Sequence, residues 1–489
     1  MESGIFDQLM GLLQYDKAAP MLFNSGFFLF FFFFCILFYQ FIYRNQRAKV
    51  FFLLTLSLYF YYKSSGFYFV LVIISSIIDF IAGHVIHNAK SPLKKKFFLI
   101  LSLITNLGLL GYFKYTNFII DNVNSMGIAS LDIMDIFLPV GISFFTFQSM
   151  SYTIDVYRGK LDPEQNFFDF LFFVSFFPQL VAGPIVRAST FLPQIHVKPV
   201  VSQADIGRAV FLIVGGLFKK AVIADYISIN FVDRVFEMPL RYTGVENLLA
   251  LYGYALQIYC DFSGYSDMAI GLALLLGFKL PINFDSPYQA KSITEFWRRW
   301  HISLSSWLKD YLYIPLGGNR KGKERQYVNL LLTMLLGGLW HGASWKFVVW
   351  GAIHGAALAL EKLFGFPEWV MKNRWTKFVG FLITFHIANL CWIFFRAQSF
   401  EMGMDMLEQI FTFFQPEVFM QFIGGYTTVF VLIIIGYILH FMPRSAEVKF
   451  EGLITRLPLL AKAILLALMI FIVAQFKSAD IQPFIYFQF

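Results

Sequence analysis

Apolar runs of about twenty residues recur from one end of this chain to the other, and that repetition restricts its fold more than any other feature. A helix of that length spans the roughly 30 Å hydrocarbon core of a bilayer. Of the 489 residues, 58% are hydrophobic and only 14% charged, whereas a soluble globular domain has about a quarter of its residues charged. The expected fold class is therefore all-α, a polytopic membrane protein with one integral-membrane domain over residues 1–489. Phe is over-used, with 63 copies. The run from Phe27 to Phe34 reads as lipid-facing bulk.

The net charge of +8 is not a nucleic-acid signal, because the basic residues sit in short loops between spans. Arg44, Arg47 and Lys49 follow the first span, and Lys90, Lys94, Lys95 and Lys96 follow the third. The positive-inside bias puts both loops in the cytoplasm and residues 1–20 outside. Arg444, Lys449 and Arg456 place the C-terminal segment 477–489 outside as well. About eleven membrane segments result. Two external termini require an even number of crossings, so at least one segment is re-entrant or the count is off by one. The N-terminus lacks a basic region and a small-residue cleavage site, so the first span is expected to insert the chain without a removable signal. Cys35, Cys260 and Cys391 have neither disulfide-framework nor zinc spacing.

Several apolar runs are interrupted. Pro139 and Gly141 break the stretch 133–159, and Pro178, Gly183 and Pro184 prevent a straight helix over 167–187. Irregular backbone at membrane depth needs protein or a water-filled cavity around it, so both are placed against an interior; simply kinked spans are the alternative. His84 and His87 show no third ligand, so an interfacial role is preferred to a metal site. Asp261 and Asp267 flank Gly264 in QIYCDFSGYSDMAIG. They read as architectural, holding neighbouring helices or Arg298 and Arg299.

Chemistry is expected in residues 292–355. Two histidines stand there, His301 and His341, beside Trp300 and Trp340. Ionisable groups in membrane-like sequence mark functional sites by default. FWRRWHISLSSWLKDYLY has the pattern of an amphipathic interfacial helix. The following turn, PLGGNRKGK, is rich in Gly and cations. With Lys309 and Arg320 it suits a phosphate-bearing donor on the cytoplasmic side, though plain positive-inside topology explains it equally. Small residues around His341 let other backbones approach closely, and a neutral imidazole can take a proton from a hydroxyl. His354 is read as structural, and no metal ligand set is found.

These stretches carry a resemblance. WRRWHISLSSWLKDYLYIPLGG, GLWHGASWKFVVWG, LPVGISFFTFQSMSY, FFPQLVAGPI and QIYCDFSGYSD resemble the membrane-bound O-acyltransferase family, in order from about Pro139 to the C-terminus. The nearest branch is the bacterial one that O-acetylates alginate, peptidoglycan and other envelope polysaccharides. The resemblance implies a ring of transmembrane helices around a central tunnel, in the cytoplasmic (inner) membrane. It implies a thioester donor, acetyl-coenzyme A or an acyl carrier protein, entering from the cytoplasm. His341 matches the family's catalytic histidine. His301 matches the second family position, which could orient the acyl carbonyl or stabilise its oxyanion. Trp300, Trp340, Lys309 and Arg320 would line the donor. Tyr486, in the aromatic tail, matches a possible acyl relay, and an extracytoplasmic SGNH-type transferase would be the partner alongside membrane lipid. A carrier or flippase would also use broken helices and midplane charge, but no internal pseudo-symmetry is visible. An enzyme acylating a lipid or a secreted peptide is the third reading.

Overall fold

The computed structural model describes residues 11–17 and 20–476, and among these every regular element is helical. The aromatic tail, with Tyr486, lies outside the described residues. The chain divides into two compact units. One is built from residues 1–209 with 268–281, the other from 210–267 with 282–489.

Four helical stretches are long and apolar enough to cross a membrane: Gln46–Asn88, Pro92–Ser125, Arg374–Arg396 and Leu459–Phe476. A fifth arises if Val418–Gly425 and Thr427–Phe441, bent by 95°, form one span. Gly66, at φ +63, divides the first stretch into Gln46–Ser65 and Phe69–Asn88, each of 20 residues. The multi-pass architecture stands, while the count of about eleven does not emerge from helix length and composition. The reason is physical: most other apolar runs are cut short by Pro, by Gly or by π-helical turns.

In the first unit the Phe-rich helix Gly26–Ile42 buries only one face. Phe28 and Phe32 are enclosed while Phe30, Phe33, Phe34 and Phe41 are exposed. Phe28 packs with Phe23, Phe60 and Phe177 in one aromatic cluster with ring centroids 5.0–6.1 Å apart. At the core sits a carboxylate, Asp79, fully enclosed. It accepts hydrogen bonds from Ser102, from Asn106 Nδ2 at 2.9 Å and from Thr153 at 3.2 Å. Three helices, Phe69–Asn88, Pro92–Leu110 and Ile142–Tyr157, meet on that one acid. The segment after it is broken as expected. Helix Phe167–Ser175 stops at Phe176, a single turn Phe177–Leu180 follows, and every residue from Asp169 to Val186 is buried. A Cβ on Gly183 would lie 2.3 Å from the Pro178 carbonyl oxygen, so the chain doubles back on itself inside protein. A simply kinked span does not do this.

In the second unit, helices Lys323–His341 and Trp345–Leu363 form a tight antiparallel hairpin. A Cβ on Gly338 would stand 2.1 Å from the Phe347 carbonyl oxygen, and one on Gly351 would stand 2.3 Å from that of Met334. Glycine is needed on both helices for backbones to come this close. Ion pairs lie within this unit. Lys220 reaches Asp261 at 2.6 Å and Asp225 at 2.7 Å, Arg396 reaches Asp233 at 2.6 Å, and Lys219 pairs with Asp267. Asp261 and Asp267 are thus architectural as expected, but their cations are Lys219 and Lys220 rather than Arg298 and Arg299. Both lysines lie in the π-helical turn Phe218–Ala224, whose wider winding points successive side chains toward the helix Gly244–Leu275.

Candidate active site

The expected single amphipathic helix around His301 is in fact two short ones, Ile293–Arg299 and Ile302–Leu308, with Trp300 and His301 at the break. The first is held at its start from outside. Ser292 accepts from the backbone N–H of Glu295 at 3.0 Å, and Glu361 accepts from the N–H and hydroxyl of Thr294, both at 2.9 Å. A seven-residue helix is too short to be stable alone, so its own Ser292 cap and Glu361 from the hairpin help set its position.

At the break His301 adopts a left-handed backbone, φ +43 and ψ 56. A non-glycine residue held there typically stores about 1 kcal/mol or more, and such strain gathers at functional sites. The neighbouring loop clamps it. Asn283 accepts from the Ile302 N–H at 2.9 Å through its backbone, and Asp285 donates to the Arg299 carbonyl at 3.0 Å. The His301 ring has no exposed surface and lies edge-on to Phe262, with centroids 4.7 Å apart. Its Nδ1 is 3.1 Å from Asn283 Oδ1.

His341 is the last residue of helix Lys323–His341 and is 4% exposed. Its ring packs between Trp340 at 5.0 Å, Trp350 at 4.9 Å and Phe395 at 5.4 Å, all near perpendicular. Edge-to-face contact of this kind fixes ring orientation. Trp340 joins the two histidines, its ring 6.2 Å from that of His301. The small residues around His341 therefore serve the hairpin: a Cβ on Gly342 would fall 2.0 Å from the Phe347 ring. His301 and His341, 40 residues apart in the numbering of the chain, share one aromatic enclosure.

The other expected site residues separate. Trp300 is 1% exposed, stacks on Phe296 at 5.7 Å and packs at a tilt against Trp392 at 4.9 Å, which is core packing. Lys309 and Arg320 are exposed. Arg320 lies within a turn whose Gly317, Gly318 and Gly322 take φ of +116, +55 and +89, conformations that favour glycine. His354 is fully enclosed by Phe296, Trp297 and Trp350. Neither of its ring nitrogens has a hydrogen-bond partner among the described residues, which fits packing rather than chemistry.

Residues 163–404 match the model of the membrane-bound O-acyltransferase family. The chain is 41% identical over 360 residues to the peptidoglycan O-acetyltransferase of Helicobacter pylori, covering 68% of each chain. It belongs to the membrane-bound O-acyltransferase family. A protein of Pseudomonas aeruginosa described as a probable alginate O-acetylase is 46% identical over 323 residues, 64% of this chain and 60% of the relative. The teichoic acid D-alanyltransferase of Bacillus subtilis is 30% identical over 275 residues, 53% of this chain and 69% of the relative. Membership makes the chain an O-acyltransferase, a multi-pass membrane enzyme that passes an acyl group to a hydroxyl.

Sequence reading of this O-acyltransferase missed Asn283, Phe262 and Phe395. Asn283 lies in the loop PINFDSPYQ ahead of the motif, and its only signal was a polar side chain in an apolar context. It also missed a group in the first unit, where Glu164, Asp169 and His196 bring one possible ligand atom each within 4.8 Å of one another. His196 Nε2 sits 3.1 Å from Glu164, and the Lys49 charge acts on Asp169. Lys49 itself is buried and donates to the carbonyls of Ile195 and Val197 at 2.8 and 3.3 Å. The His196 imidazole faces both acids, 3.1 Å from Glu164 and 3.9 Å from Asp169, so this group is read as a polar staple between segments.

Proposed function

We propose that this enzyme takes an acetyl or other small acyl group from a cytoplasmic thioester, acetyl-coenzyme A or an acyl carrier, and exports it for O-acetylation of an envelope or extracellular polysaccharide. The observation that carries the reading is the shared aromatic enclosure of His301 and His341, in a chain whose relatives include polysaccharide O-acetyltransferases. His341 acts as general base. It takes the proton of the attacking hydroxyl as that oxygen bonds to the thioester carbonyl carbon; the C–S bond then breaks and the thiolate recovers the proton. Thioesters suit this arrangement because the sulfur leaves readily and only the hydroxyl needs a base. His301 contacts the acyl donor from the other side of Trp340, and Lys309 and Arg320 attract its phosphates.

In this proposal Tyr486 is the first acceptor, carrying the acyl group outward as an ester. An extracytoplasmic SGNH-type transferase then moves it to the polysaccharide. The enzyme sits in the bacterial inner membrane, where the interrupted segments join the long helices in a ring of about eleven around a tunnel. Intact mass after incubation with acetyl-coenzyme A tests the relay. One added acetyl in the wild type, absent from His341→Ala and Tyr486→Phe, supports it. Thioester hydrolysis that depends on His341 without mass gain leaves the enzyme standing and removes the relay.

A further inference from the structure

The side chain of Asn283 makes more contacts to the His301 turn than a loop residue needs. Its Oδ1 receives the backbone N–H of Ser303 at 3.2 Å and the Ser303 hydroxyl at 2.9 Å, and lies 3.1 Å from His301 Nδ1. Its Nδ2 donates to the Ser266 hydroxyl at 3.2 Å. A backbone N–H can only donate, so the atom facing Ser303 is the oxygen. The flipped amide would set two donors against each other. With that oxygen fixed as an acceptor, His301 Nδ1 must carry a hydrogen, because a bare Nδ1 would oppose lone pair to lone pair at 3.1 Å. In a neutral imidazole the hydrogen on one nitrogen leaves the other as an acceptor.

We propose that Asn283 is a positioning residue that holds His301 in its Nδ1–H tautomer, so that Nε2 meets the acyl donor or acceptor as a hydrogen-bond acceptor. The inference rests on the proposed site and deepens it. A neutral His301 held this way does not supply an N–H to an oxyanion, the role the family resemblance suggested. It binds instead a polar hydrogen of the substrate, an amide N–H or a hydroxyl. The left-handed backbone of His301 contributes to the same end, bringing the ring back over Asn283, two residues before the Asp285–Arg299 backbone clamp.

The test is nitrogen NMR on protein labelled with 15N only in histidine, with the His301 signals assigned by their loss in His301→Gln. Wild type is expected to show a protonated Nδ1 and a bare Nε2 at neutral pH. Asn283→Ala is expected to lose that preference, and its release of free thiol from acetyl-coenzyme A to fall roughly tenfold to a hundredfold. Asn283→Asp, which keeps an acceptor at the same place, is expected to retain Nδ1–H and serves if the alanine variant does not fold. A protonated Nε2 in folded wild type would overturn the assignment, as would an unchanged Nδ1–H in Asn283→Ala. Neither result bears on His341. Conversely, turnover that ignores His341→Ala would remove the proposed function and leave the tautomer standing.

Discussion

Two polar clusters built on acids, one in each unit, are held in opposite ways. In the first, Asp79 is surrounded by neutral donors, the hydroxyls of Ser102 and Thr153 and the amide of Asn106. In the second, Asp225, Asp233, Asp261 and Asp267 each face a lysine or arginine. Neutral donors fasten helices without demanding a counter-charge. Buried ion pairs are rigid but fail badly when one partner is lost. The paired charges, the glycine hairpin and both site histidines all lie in the second unit. In the first unit the Asp79 cluster fastens three helices together.

Substitutions can sharpen that contrast. The largest expected effect is on activity: His341→Ala should lower acyl transfer on the order of 10²–10⁴-fold, the usual contribution of a general base. Among stability changes, Lys220→Met should be the most severe. It leaves Asp225 and Asp261 without their cation, a loss of about 3–5 kcal/mol, read as a large drop in the unfolding temperature of the purified protein. Asp79→Asn in the first unit keeps one acceptor oxygen for its ring of donors and should cost less, about 1–3 kcal/mol. If the two variants unfold alike, the distinction between the units is wrong. Gly108→Ala should be smallest. Nothing lies within 4 Å of a Cβ there, so the helix should gain up to about 1 kcal/mol. Gly338→Ala is its counterpart in the hairpin, and the backbone contact predicts lost activity as well as lost stability.

Much of this was legible in the residues. Long apolar runs announced membrane helices. Pro178 and Gly183 announced a broken segment, and its complete burial followed from the rule that irregular backbone avoids lipid. Trp300-His301 and Trp340-His341 pointed to the site. Hidden were the features that depend on three dimensions. The periodicity of FWRRWHISLSSWLKDYLY is helical on both sides of His301, so nothing local reveals the left-handed residue between. Lys219 and Lys220 looked like an interruption of a span because their acid partners are more than forty residues away for Asp261 and Asp267. Asn283 carries no motif at all; only the Ser303 backbone gives it meaning. Tyr486 lies outside the described residues, and its role rests on the resemblance.

The most direct test of the account is release of free thiol from acetyl-coenzyme A by the purified full chain, comparing wild type, His341→Ala and Lys309→Ala at matched unfolding temperature. Release that falls at least a hundredfold in His341→Ala and only severalfold in Lys309→Ala is the predicted result. Equal release from wild type and His341→Ala would contradict the account, because the enclosed histidine would then not be the base of acyl transfer.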